Sequence, residues 1–206
     1  MRERWQALCQ RLGGDADAAA WFTILESLHA TPPRAYHNLD HIAECLGTLD
    51  QVKANLENAD RVEFALWFHD CIYIPGRSDN EERSAQIASV CARALGHSAE
   101  WSAEVVNLIM CTRHATPPVH NDAKWIVDID MSILASPPER YRNYAAAIRS
   151  EFGFVTDAQF NAGRAAFIKG LLSRPAIYHT PHMKADREAL ARANLSAELK
   201  RLETLA

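Results

Sequence analysis

The sequence predicts an all-α protein. Apolar residues recur at intervals of three and four, alternation at period two is scarce, and short proline or glycine clusters punctuate the chain at ordinary helix spacing. At 206 residues the chain suits one sizeable domain and is short for two. The expectation is a single helical bundle of roughly eight to ten helices. It spans 1–206, with a functional core over about 34–135 and C-terminal helices over 137–206 completing it.

The breaks fall at Gly13-Gly14, Thr31-Pro32-Pro33, Pro75-Gly76, Thr116-Pro117-Pro118, Ser136-Pro137-Pro138 and Arg174-Pro175. Between them, Tyr36 to about Leu49 reads as a helix. Val62, Ala65, Leu66 and His69 share the inner face of the next one. Ser98 reads as the N-cap of a segment whose stripe is Trp101, Val105, Leu108 and Ile109, and Thr156-x-x-Gln159 as a capping box before Phe160, Phe167 and Leu171. Leu195, Leu199, Leu202 and Leu205 mark the final helix.

Composition narrows the function classes. With 48% apolar and 23% charged residues, the chain is an ordinary globular one, and a net charge of −4 leaves no electrostatic footprint for a nucleic-acid polymer. Five cysteines, widely spaced and never as C-x-x-C, argue against a disulfide framework or a zinc knuckle and for a reducing, cytoplasmic setting. No run approaches a membrane span, and Met1-Arg2-Glu3-Arg4-Trp5 does not lead into the apolar core of an export signal. Leu- and Ala-rich helices leave a homodimer open.

Chemistry concentrates in Tyr36-His37-Asn38-Leu39-Asp40-His41, His69-Asp70 and Asp128-Ile129-Asp130. Each has an ordinary explanation: a core histidine for His69, a turn for Asp70, a helix cap for Asn38 or Asp40, a cap for Asp128. Together they offer imidazoles and carboxylates on inward-facing positions of one helical chain, a donor set for a hard or borderline divalent cation. Carboxylates carried inward by an apolar run such as Trp125-Ile126-Val127 need a cation beside them.

The order His41, His69-Asp70, Asp130 resembles the H…HD…D signature of the HD-domain superfamily of metal-dependent phosphohydrolases, an all-α family. Tyr36-His37-Asn38-x-x-His41 is similar to a motif of cyclic-nucleotide phosphodiesterases, whose second histidine binds metal and whose first protonates the leaving group. Phe68-His69-Asp70-Cys71-Ile72-Tyr73, Asn80-Glu81-Glu82-Arg83-Ser84-Ala85 and Arg174-Pro175-Ala176-Ile177-Tyr178 resemble a little-characterised bacterial branch of predicted HD phosphohydrolases. The similarity runs over about residues 34 to 202.

The resemblance implies that His41, His69, Asp70 and Asp130 hold Mg, Mn, Fe, Co, Ni or Zn as a divalent ion, with Asp130 preferred because Met131-Ser132-Ile133-Leu134 follows it. Asp128 then supports the site or faces solvent, although the two aspartates can exchange roles. His37 and Asp70 are the expected catalytic groups, His37 as general acid, since an imidazole titrates near neutrality. Arg34, Arg113 and His114 are the candidates for binding a small phosphorylated substrate, a phosphomonoester or nucleotide; Glu81 and Glu82 are weaker candidates for support. Two other functions compete. HD-type di-iron oxygenases carry an extra histidine shortly after the His-Asp pair, where this chain has Asn80, unless His97, His114 or His120 replaces it. A non-catalytic sensor module would bind metal or nucleotide without turnover.

Overall fold

The computed structural model describes residues 1–14 and 17–204. Among these residues the chain is all-helical, with no strand: α1 (Arg2–Arg11), α2 (Ala18–His29), α3 (Leu39–Val52), α4 (Ala59–Phe68), α5 (Asn80–Ala94), α6 (Ala99–Cys111), α7 (Asn121–Asp130), α8 (Pro138–Glu151), α9 (Asp157–Leu172) and α10 (Pro181–Thr204). Single 3₁₀ turns occupy Lys53–Asn55 and Met131–Ala135. Every expected Pro or Gly cluster lies at a helix boundary, because proline cannot donate within a helix and glycine accepts the left-handed turn that ends one. Gly13, just beyond α1, has φ 83°. No helix is long and apolar enough to cross a membrane, among the residues described.

Two compact units emerge, Met1–Asp130 and Met131–Ala206. In the first, α4 is the central element. Its residues from Val62 to Phe68 are all buried, and all but Glu63 are apolar, the pattern of a helix packed around most of its circumference. Trp5, Phe64, Trp67 and Phe68 interlock with ring centroids 4.9–5.8 Å apart, each side chain contributing roughly 1.5–3 kcal/mol by burial. The one charge on this helix's inner run, Glu63, is met by Arg4 Nε at 2.8 Å and Arg11 Nη2 at 2.9 Å. Position 69 follows directly, its N–H donating to Ala65 O at 2.9 Å. The packing of α4 therefore fixes where the His-Asp pair emerges.

In the second unit, the capping box at Thr156 and Gln159 forms as expected. The α9 stripe differs. Phe167 is 45% exposed, and the buried face is Arg164, Ile168 and Leu171. Arg164 turns inward because Glu198 of α10 receives it through two N–H donors, at 2.9 and 3.1 Å. On α10, Leu195 and Leu202 are buried and Leu199 half-buried; Leu205 lies outside the described residues.

Candidate metal centre

Three elements of the first unit deliver the donors. The α3 helix begins at Leu39, three residues later than the periodicity suggests, because Asn38 adopts an extended backbone and caps it, accepting from Asp40 N at 2.9 Å and His41 N at 3.4 Å. His41 thus sits in the first turn facing inward, and His37 lies in the preceding loop instead of one helical turn below. Its ring still stands 6.0 Å from that of His41 and stacks on Tyr73 at 3.8 Å. His69 and Asp70 leave the end of α4, and Asp130 closes α7.

Four side-chain atoms converge. His41 Nε2 lies 3.2 Å from His69 Nε2, 3.3 Å from Asp130 Oδ1 and 3.6 Å from Asp70 Oδ2. His69 Nε2 lies 3.2 Å from Asp70 Oδ2 and 3.4 Å from Asp130 Oδ1. Donors bound to one cation at about 2.0–2.2 Å stand roughly 2.8 Å apart at right angles and roughly 3.6 Å apart at tetrahedral angles. The spacings therefore fit a single ion. The histidines are 1–2% exposed, whereas the aspartate side chains keep 14% and 16% of their surface open, so solvent reaches the centre from the carboxylate side.

The tautomer of His69 is set locally. Its Nδ1 lies 2.9 Å from Leu66 O, and a carbonyl only accepts, so Nδ1 carries a proton and Nε2 turns its other valence toward the cluster. Burial disfavours a charged ring there, yet Asp70 and Asp130 outweigh it and hold the His69 pKa well above the usual histidine range. Burial likewise works against ionised Asp70, but His69 more than compensates and its pKa is depressed; Asp130 is depressed well below the carboxylate range against the same cost by His114, His41 and His69. Two carboxylates and two imidazoles in one buried volume call for positive charge at their centre, which a proton or a metal ion supplies.

Cys45 is the member sequence reasoning missed. His41, Cys45, His69 and Asp130 form a buried group that could hold a metal ion. The signal was present in the i, i+4 spacing of His41 and Cys45 on α3. Its Sγ stands 3.7 Å from His41 Nε2 and 3.8 Å from Nδ1, nearly equidistant, and so lies beside the ring rather than beyond the Nε2 tip. Asp70 Oδ2, outside that group, lies 3.6 Å from His41 Nε2 and 3.2 Å from His69 Nε2. Burial first, then Asp130 and Asp70, push the Cys45 thiol upward.

The remaining candidates have definite places. Arg34 Nη1 donates to His37 O at 2.7 Å and Asp70 O at 2.6 Å, Nη2 to Cys71 O at 2.8 Å, and Nε to Thr31 Oγ1 at 3.0 Å. It clasps the His37 loop to the His-Asp turn. His29, unforeseen from sequence, backs this clasp: burial pushes its pKa down to about 4, and its neutral ring contacts Trp67 O and Arg34 Nη1. Arg113 pairs with Glu82 at the surface. His114 Nε2 reaches Asp130 Oδ2 at 3.2 Å. Glu81 is half-buried, and burial together with Asp70 raises its pKa.

Asp128 is fully buried, not solvent-facing, because it sits on the inner side of α7. The aromatic side chains Trp67 and Phe68 belong to the core. The Asn80 amide accepts from Ile74 N and donates to Ile74 O, both at 3.0 Å, and so closes a loop. His97 stacks on Trp101 at 3.9 Å, and His120 is exposed.

Comparison with known proteins finds no matching family model, no matching curated protein and no matching solved structure. An all-helical chain with this donor group is compatible with an HD domain.

Proposed function

We propose that this chain is a metal-dependent phosphohydrolase acting on a phosphomonoester or nucleotide-type small molecule. The observation that carries the reading is the convergence of His41, His69, Asp70 and Asp130 at cation spacing, with the carboxylate side open to solvent. A divalent ion held there would supply an acidified water and neutralise phosphate charge. The chain's own residues do the rest. Buried imidazoles exclude water from the far side, and the Leu66 carbonyl keeps His69 in the ligating tautomer. In this reading His37, held by Arg34 through its carbonyl and by Tyr73 through its ring, is the group that donates a proton to the departing oxygen. Asn80, occupied by the Ile74 backbone, supports a mononuclear centre over a di-iron one.

Hydrolysis of aryl and alkyl phosphates by protein loaded with Mn²⁺, Co²⁺, Ni²⁺ or Zn²⁺, wild type beside His37→Asn, tests this. The expected result is metal-dependent turnover that falls by about 10²-fold or more in the variant for alkyl phosphates, and less for aryl phosphates, whose leaving group needs little protonation. Metal binding without turnover on any phosphate ester would move the reading to a sensor module. Two irons per chain would move it to oxygen chemistry.

A further inference from the structure

Among the described residues, His114 is the residue other than glycine that holds a positive φ, 56°, in company with Gly13, Gly76 and Gly96. A side chain with a Cβ is disfavoured in that left-handed region. The conformation arises just past α6, where Thr112 N bonds Ile109 O, Arg113 N bonds Met110 O and His114 N bonds Cys111 O in successive tight turns. Glycine would occupy this position without strain, yet the chain places an imidazole there.

The strained backbone aims the ring at one atom. His114 Nε2 lies 3.2 Å from Asp130 Oδ2, while Oδ1 of the same carboxylate faces His41 and His69 at 3.3 and 3.4 Å. A carboxylate oxygen accepts, so Nε2 carries the proton; Nδ1 is buried with no hydrogen-bond partner. A carboxylate at the end of a short side chain rotates readily between presenting one oxygen or both. Occupying Oδ2 with a fixed donor stops that rotation.

We propose that His114 is a positioning residue: it locks the Asp130 carboxylate so that Oδ1 alone addresses the metal, and the strain at position 114 is retained for that purpose. The inference rests on the metal-centre reading of the previous subsection. It moves His114 from the phosphate-binding role expected from sequence to an orienting one, because the ring nitrogen facing the site is already engaged by Asp130. Strain that persists at a site because surrounding structure overrides it marks such roles, and partners that orient ligands typically govern metal affinity by 10–100-fold.

The two observations make opposite demands, which the test uses. His114→Gly relieves the backbone but removes the donor; His114→Gln keeps the backbone strain and supplies an amide N–H of similar reach. For wild type and both variants, the apo melting temperature is measured, and the Co²⁺ affinity is measured by competition with a chromophoric chelator. The expected result for His114→Gly is Co²⁺ bound 10–100-fold more weakly, and for His114→Gln an apo melting temperature close to wild type with an affinity restored to within a few-fold of it. Equal Co²⁺ affinity in wild type and His114→Gly overturns the proposal, as does a His114→Gln variant no better than glycine. A joint fall in apo stability and affinity for His114→Gln, which keeps a donor, would make the ring a packing element and overturn it too. Wild type that binds no Co²⁺ would remove the metal centre itself, an outcome distinct from bound Co²⁺ that is indifferent to position 114.

Discussion

Two buried charged clusters in this molecule are built on opposite principles. In the C-terminal unit, Arg164 gives two N–H donors to Glu198 and a third to Tyr144 OH at 3.3 Å, and Tyr141 OH donates to Glu198 Oε2, which also accepts from Arg164 Nη2. Each charge is matched by its opposite, and each acceptor meets a donor. In the N-terminal unit, the imidazoles of His41 and His69 and the carboxylates of Asp70 and Asp130 crowd together at 3.2–3.6 Å, with no Lys or Arg side chain among them. The first cluster is complete by itself; the second needs an added positive charge, which a proton on His69 or a metal ion supplies. Burial and charge are shared by both, so neither property alone identifies a functional site. The distinction lies in whether the polar groups satisfy one another.

Breaking the self-satisfied cluster should have the largest effect on stability. Arg164→Met leaves Glu198 buried and unpaired, and denaturant unfolding should show a loss of about 3–5 kcal/mol. Asp70→Asn, which removes a charge from the candidate metal centre and its pairing with protonated His69, should cost less apo stability, about 1.5–3 kcal/mol, and abolish tight metal binding. Metal supplies the next largest effect. At a free concentration of about 100 Kd, a divalent ion should stabilise wild type by about 2.7 kcal/mol, visible as a rise in melting temperature that vanishes in His69→Ala.

The pH response sharpens the comparison further. Because the folded His69 pKa stands above its ordinary 6.5, its protonated form stabilises the apo fold fully below pH 6.5, and that contribution fades as pH rises through the elevated value. Depressed Asp70 and Asp130 contribute above their ordinary 3.8 and lose their contribution as pH falls through their lowered values. Apo protein should therefore weaken on going alkaline, by about 1.4 kcal/mol for each unit the His69 pKa is raised. Metal-loaded protein should not, since the ion replaces the His69 proton, and calorimetry in buffers of different ionisation enthalpy should show protons released on binding. The smallest change is Arg34→Lys. A point ammonium cannot serve the Asp70, Cys71 and His37 carbonyls at once, so Co²⁺ affinity should fall about tenfold, equivalent to about 1.4 kcal/mol.

Helix number and helix boundaries were legible because proline, glycine and capping residues act over three or four neighbours. Asn38 shows the limit: it was readable as a cap, yet it moves the start of α3 past His37, which periodicity had placed inside the helix. The α9 face was misread because apolar spacing favours Phe167, whereas Arg164 is drawn in by Glu198, 34 positions along the chain. In the candidate metal centre, the imidazole and carboxylate donors stand out by residue type. Cys45 does not, since a buried cysteine usually serves as a small apolar side chain. The roles of Arg34 and His114 depend on carbonyls and a carboxylate brought near only by the fold, Asp70 lying 36 residues from Arg34 and Asp130 lying 16 from His114. No local pattern encodes those distances.

We propose that the cluster of His41, His69, Asp70 and Asp130 binds one divalent metal ion. Its most direct test is elemental analysis of purified protein, stripped of metal and then equilibrated with Mn²⁺, Co²⁺, Ni²⁺ or Zn²⁺, for wild type and His69→Ala side by side. The account predicts about one ion retained per wild-type chain and none in the variant. Wild type that retains no ion, or a variant that retains as much, would contradict it.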